Sequence, residues 1–148
     1  MKRLWKPAHS VTLSLAVTYL GAAFLLLLMF TAPAILRTID SDPKFLQVMS
    51  ILFYCCCPAG GLAIASLLRL LHNIRKDRVF TRQNVKMLRL LSWCFIFVAL
   101  VSLAATFTMY LPMLYILLAS GFLAVILRVV KNVMEQATIM REEQELTI

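Results

Sequence analysis

Charge is absent from long stretches of the chain. Residues 10–36, 45–68 and 90–111 contain no Asp, Glu, Lys or Arg, and the run 112–127 continues past Arg128 into Val129 and Val130. A helical crossing of a hydrocarbon layer about 30 Å thick takes about 20 apolar residues. Each run is therefore long enough for one span, and the pattern predicts helices over about residues 10–36, 45–71, 82–111 and 113–140. Asp40, Ser41, Asp42 and Pro43 separate the first pair, and Leu111, Pro112 and Met113 the second; such clusters mark turns. The polar stretch 69–89 divides the two helical pairs without making either a separate domain, and no internal repeat is evident. The expected fold is an all-α membrane protein, a single domain over residues 1–148 with four transmembrane helices in an antiparallel bundle.

Composition supports this reading: 61% of the 148 residues are hydrophobic and 15% charged, far from the balance of a soluble domain. Charge adds an orientation. Lys2, Arg3 and Lys6 precede the first span, seven cationic residues lie between Arg69 and Arg89, and Arg128, Lys131 and Arg141 follow the fourth. The opposite loops hold only Arg37 and Lys44, offset by Asp40 and Asp42. Because short cytoplasmic segments retain Lys and Arg, both termini and the central hairpin are expected in the cytoplasm of a multi-pass cell-membrane protein. A basic start followed by Ala32-Pro33-Ala34 resembles a cleaved signal, but the first apolar run exceeds the signal-peptide range and is long enough to span.

The hairpin carries Arg75, Lys76, Arg78, Arg82 and Lys86. Such a cluster can neutralise nucleic-acid phosphates, yet orientation between two spans demands the same residues, and they would also meet anionic lipid headgroups. With no helix-turn-helix or zinc-ligand spacing, direct nucleic-acid binding is not expected. Thr81 is placed to cap the third helix, with Phe80 and Val85 as a hydrophobic staple. Asn84 occupies the position where Glu or Gln would complete a capping box.

Candidate chemistry is sparse. Cys55, Cys56 and Cys57 are consecutive, and residues about 100° apart on a helix cannot converge on one tetrahedral metal; they read as small, buried, unreactive thiols. Pro58, Gly60 and Gly61 suggest a kink or a close-packing surface. Gly61 with Ala65, Gly21 with Ala22 and Ala23, and Ser120 with Ala124 have spacings that let helices approach. His9 and His72 are isolated. No span holds an interior Asp, Glu, Lys or His, the usual mark of an ion pathway, and Arg128 lies where it can snorkel. Without a nucleophile set, a phosphate loop or a metal motif, neither an enzyme nor a bound cofactor or metal is expected.

The fourth helix should continue beyond the bilayer, since Ile126, Val129, Val130, Val133, Met134 and Ala137 keep helical spacing while Arg128, Lys131, Asn132, Glu135 and Gln136 fill another face. Lys131 and Glu135 form a supporting i,i+4 pair. Glu142, Glu143 and Glu145 then reverse the charge before Leu146 and Ile148. This end reads either as a frayed, solvated tail or as an acidic segment touching the basic hairpin, with the two apolar residues docking on a partner.

Phe80, Thr81 and Asn84, the run Arg128 to Asn132, Glu135 to Ala137, and the terminal Leu-Thr-Ile together resemble the YoaS-like family of small uncharacterised bacterial membrane proteins, domain of unknown function 2975. Members often carry Pro or a Gly turn before the Phe-Thr pair, where this chain has Asp77, Arg78 and Val79. The resemblance implies a four-helix architecture without established biochemistry, commonly encoded beside a short helix-turn-helix transcription regulator. It implies that the protein binds such a regulator through the hairpin and tail, with Arg75, Lys76, Arg78, Phe80, Thr81, Arg82, Asn84, Arg128, Lys131, Asn132, Glu135, Gln136, Leu146 and Ile148 as candidate partner or lipid contacts. The competing reading is a small transporter or accessory subunit, assembled as a homo-oligomer through the small-residue faces.

Overall fold

The computed structural model describes residues 7–40, 42–76, 78–108 and 113–147. It contains four α-helices: α1 (Pro7–Ile39), α2 (Pro43–Arg75), α3 (Arg82–Thr108) and α4 (Met113–Leu146). All four are long and apolar enough to cross a membrane. Three exceed the expected bounds. α4 in particular runs to Leu146 rather than ending near residue 140, because ion pairs hold the last turns that the sequence suggests could fray. At 1.5 Å per residue its 34 residues span about 51 Å, against about 30 Å of hydrocarbon. The charges from Arg128 onward put the surplus length at the C-terminal end, so the turns from about Asn132 are expected beyond the apolar layer.

The start of α2 is fixed by a local device. Asp42 adopts an extended conformation, its carboxylate accepts from the Lys44 N–H at 3.1 Å, and Pro43 occupies the first turn. The cap fills one of the N–H groups that have no partner within a helix. The helix then continues through Pro58 without a break.

Consecutive helices are neighbours: α1 packs on α2, α2 on α3, and α3 on α4, with no comparably close packing of α1 on α4 among the described residues. The array is an open row of antiparallel helices. α3 is its centre, burying Val85, Leu88, Leu91, Cys94 and Ala105. Across the α3/α4 seam, the buried Ser92 hydroxyl donates to the Ala124 carbonyl at 3.2 Å. Ser120 and Ala124 are buried there, in keeping with the small-residue contact expected of them.

Two other small-residue expectations need correction. Gly21, Gly61 and Ala65 face outward, and a Cβ added at either glycine would meet open space. On α2 the inward positions are Ala59, which is buried, and Gly60, whose added Cβ would lie 3.6 Å from Leu25 of α1. The 100° step between adjacent helical residues makes Gly60 and Gly61 point apart. The cysteines also differ from expectation: Cys94 is buried, Cys56 and Cys57 are half-buried, and Cys55 is exposed on the outer surface of the row. Cys55 lies on a face of α2 that neither α1 nor α3 covers, where hydrocarbon would surround it.

Candidate functional site at the hairpin end

Asn84 organises the turn between α2 and α3. It is 0% exposed, and its amide is fully engaged: Nδ2 donates to the carbonyls of Arg78 at 2.8 Å and Val79 at 2.7 Å, while Oδ1 accepts from Asn73 Nδ2 at 2.8 Å. The last bond ties the end of α2 to the start of α3. A buried amide is costly unless satisfied, so these three bonds make its burial tolerable and fix the shape of the hairpin. Asn84 thus does not reach back to the Thr81 N–H as a capping-box side chain would. Its own N–H meets the Thr81 hydroxyl at 3.4 Å and the Thr81 carbonyl at 3.0 Å. Thr81 is a cap with a long side-chain bond. Of the expected staple, Val85 is buried while Phe80 stays 43% exposed.

The projecting end of α4 lies against this hairpin. Arg82 donates to Glu142 through two bonds, Nε to Oε1 at 3.0 Å and Nη2 to Oε2 at 2.7 Å. Lower on the same seam, Glu135 meets Lys131 at 2.7 Å and Arg89 at 3.8 Å, and Arg141 pairs with Glu145 at 3.2 Å. The Arg82 guanidinium holds the Glu142 carboxyl below the usual carboxylate range, first by hydrogen bonding and also by its charge, with desolvation acting against it. Both partners are substantially exposed, so the pair contributes little to stability. Its two-bond geometry fixes orientation more than energy.

Between the hairpin and these turns of α4 is an open cleft of about 420 Å³ lined by Phe80, Thr81, Arg82, Thr138, Arg141 and Glu142, with Arg78 and Glu145 at its edge. Of the residues singled out by sequence, Arg78, Phe80, Thr81 and Arg82 meet at this cleft. Lys131 and Glu135 pair on the α4 face below it, and Arg128 lies on that helix nearer the apolar layer. Arg75 and Lys76 are exposed at the end of α2, Asn132 and Gln136 are exposed on α4, and Leu146 is exposed beyond the cleft. Ile148 lies outside the described residues.

Sequence reasoning missed Asn73, Thr138 and the individual role of Glu142. A polar amide in the last turn of an otherwise apolar helix, eleven residues before a second one, was the available signal for Asn73. Thr138 had none, since its hydroxyl bonds to the Met134 carbonyl of its own helix and only packing buries it.

Four apolar spans joined by short turns, with a polar assembly at one end, define a multi-pass membrane protein. The model of the family "Protein of unknown function (DUF2975)" matches residues 41–148, and the chain belongs to that family. The matched region begins just before α2 and contains the hairpin, the Asn73–Asn84 bond and the whole of α4. No curated protein and no solved structure matches the chain.

Proposed function

We propose that this protein holds a small helix-turn-helix transcription regulator at the membrane, through the cleft between hairpin and α4 and the exposed end of α4. The observation that carries the reading is a mixed-charge cleft with uncovered apolar groups beside it: Phe80 is 43% exposed and Leu146 is 87% exposed, at an end of the molecule where the apolar layer does not cover them. Arg78, Arg82 and Arg141 stand against Glu142 and Glu145, a surface suited to a partner that itself carries both signs of charge. Complementary charge at a rim sets register and association rate more than affinity, and exposed apolar residues rimmed by polar ones mark docking sites. The choice of a short DNA-binding regulator as the partner rests on what the family resemblance implies about the gene encoded alongside. The cationic hairpin favours a cytoplasmic location for this surface, because short cytoplasmic segments retain Lys and Arg, and such a regulator acts there.

The test is co-purification in detergent of the full chain with the regulator encoded beside it. Removal of residues 141–148 should abolish recovery of the regulator. Undiminished recovery after that deletion would contradict the proposed docking surface.

A further inference from the structure

A second cavity lies one to two turns closer to the apolar layer on the α3/α4 seam. It measures about 350 Å³ and is lined by Arg89, Ser92, Trp93, Arg128 and Lys131. Three cations converge there, and one carboxylate, Glu135, offsets them through Lys131 at 2.7 Å and Arg89 at 3.8 Å. Among the described residues Arg128 has no ion-pair partner. The Ser92 proton is committed to the Ala124 carbonyl, so the cavity's polar character rests on its cations. Trp93 is 56% exposed beside them, at the depth where amphipathic aromatic rings gather in membranes.

Arg128 also lines a separate apolar groove of about 230 Å³ that continues along the same seam away from the hairpin, past Leu100, Leu103, Leu117, Gly121 and Val125. From Arg128 to Leu117 the groove follows α4 over eleven residue steps, about 16 Å, close to one leaflet of a hydrocarbon layer about 30 Å thick. A cationic chamber and an apolar groove about one leaflet long thus meet at Arg128. Gly121 borders open space in that groove, since nothing lies within 4 Å of a Cβ placed on it.

From this juxtaposition we infer a binding site for one anionic phospholipid, with its phosphodiester between Arg89, Arg128 and Lys131 and an acyl chain along the α3/α4 groove. Guanidinium groups match phosphate oxygens with paired donors, and basic chambers between membrane helices bind anionic headgroups. A zwitterionic lipid fits the groove equally well but brings its own cation to a chamber with surplus positive charge. Inorganic phosphate fits the chamber and leaves the groove empty. Only an anionic phospholipid answers both halves.

The experiment is native mass spectrometry of the full chain in mild detergent, with phosphatidylglycerol, phosphatidylcholine of the same acyl chains, or inorganic phosphate added. Phosphatidylglycerol should be retained in preference to phosphatidylcholine by about thirtyfold, the value for roughly two headgroup-level charges. Arg128→Gln combined with Lys131→Gln should reduce phosphatidylglycerol to the phosphatidylcholine level. Gly121→Leu, whose side chain enters open space and leaves the helix seam undisturbed, should lower retention of both lipids, and Lys44→Gln at the opposite end should change neither. The inference is overturned by equal retention of the two lipids, by full phosphatidylglycerol retention in either the double variant or Gly121→Leu, or by displacement of the lipid by millimolar inorganic phosphate. Should the double variant lose helicity, the lipid preference of the native chain and Gly121→Leu still decide the matter.

Discussion

Asn73 and Asn84 join the end of one membrane helix to the start of the next through a single bond of 2.8 Å between their side-chain amides. The bond matters because the same Asn84 amide also holds the carbonyls of Arg78 and Val79. One buried side chain thus sets the crossing of α2 and α3 and the course of the loop between them, and the loop in turn presents Phe80 and Arg82 to α4.

Replacing Asn84 should therefore be the most damaging single change at the hairpin. Asn84→Ala leaves two carbonyls and the Asn73 amide without their partner, at about 1–3 kcal/mol for each group that water does not reach. Asn84→Asp should be at least as harmful, because a carboxylate cannot donate to either carbonyl. Asn73→Ala, which frees one acceptor, should cost less than either. Thermal unfolding of the purified chain in detergent would rank the three, and a loss on Asn73→Ala equal to that of Asn84→Ala would contradict the assigned donors.

The two helix caps should differ in strength. Asp42 accepts from the Lys44 N–H at 3.1 Å, whereas the Thr81 hydroxyl lies 3.4 Å from the Asn84 N–H. Asp42→Ala is expected to destabilise by about 1 kcal/mol, within the usual range for a cap, and Thr81→Ala by less. The same unfolding measurement checks both, and the reverse order would show that the Thr81 hydroxyl does more than the geometry implies.

Docking of the α4 end on the hairpin should respond to acid. Glu142 has a carboxyl lowered in the folded chain by Arg82, so its ionised form favours the docked state. That contribution is complete above the ordinary carboxylate value of 4.5 and is lost as pH falls through the lower folded value. Spin labels replacing the exposed Lys86 and Glu143 should give a narrow distance distribution at neutral pH that broadens only below about pH 4.5. Glu142→Gln should broaden the distribution already at neutral pH and weaken its response to acid, and Arg82→Glu combined with Glu142→Arg should narrow it again at neutral pH. A distribution unaffected by pH and by these changes would show that packing alone holds α4 in place.

The fold was legible because the hydrocarbon layer imposes a length scale on sequence. Runs free of charge such as 45–68 and 90–111 have little alternative to a span, and Asp42-Pro43 announces the start of α2 by local chemistry. What the sequence left obscure depends on which way a side chain points. Gly60 and Gly61 are equivalent in composition, but only Gly60 faces α1. Asn84 was visible as an imperfect capping residue, while its buried role depends on Asn73 arriving from another helix. The acidic end was ambiguous for the same reason: Glu142, Glu143 and Glu145 look alike in sequence, and their facing on α4 decides that Glu142 meets Arg82 while Glu145 meets Arg141.

The account depends most on the hairpin and the end of α4 sharing the cytoplasmic side. In a chain whose Cys55, Cys56, Cys57 and Cys94 are replaced by alanine, single cysteines at positions 80 and 146 can be exposed to a membrane-impermeant thiol reagent. Both should be protected in intact cells and both modified in inverted membrane vesicles. Modification of either from outside intact cells would contradict the proposed orientation and remove the surface offered to an intracellular regulator.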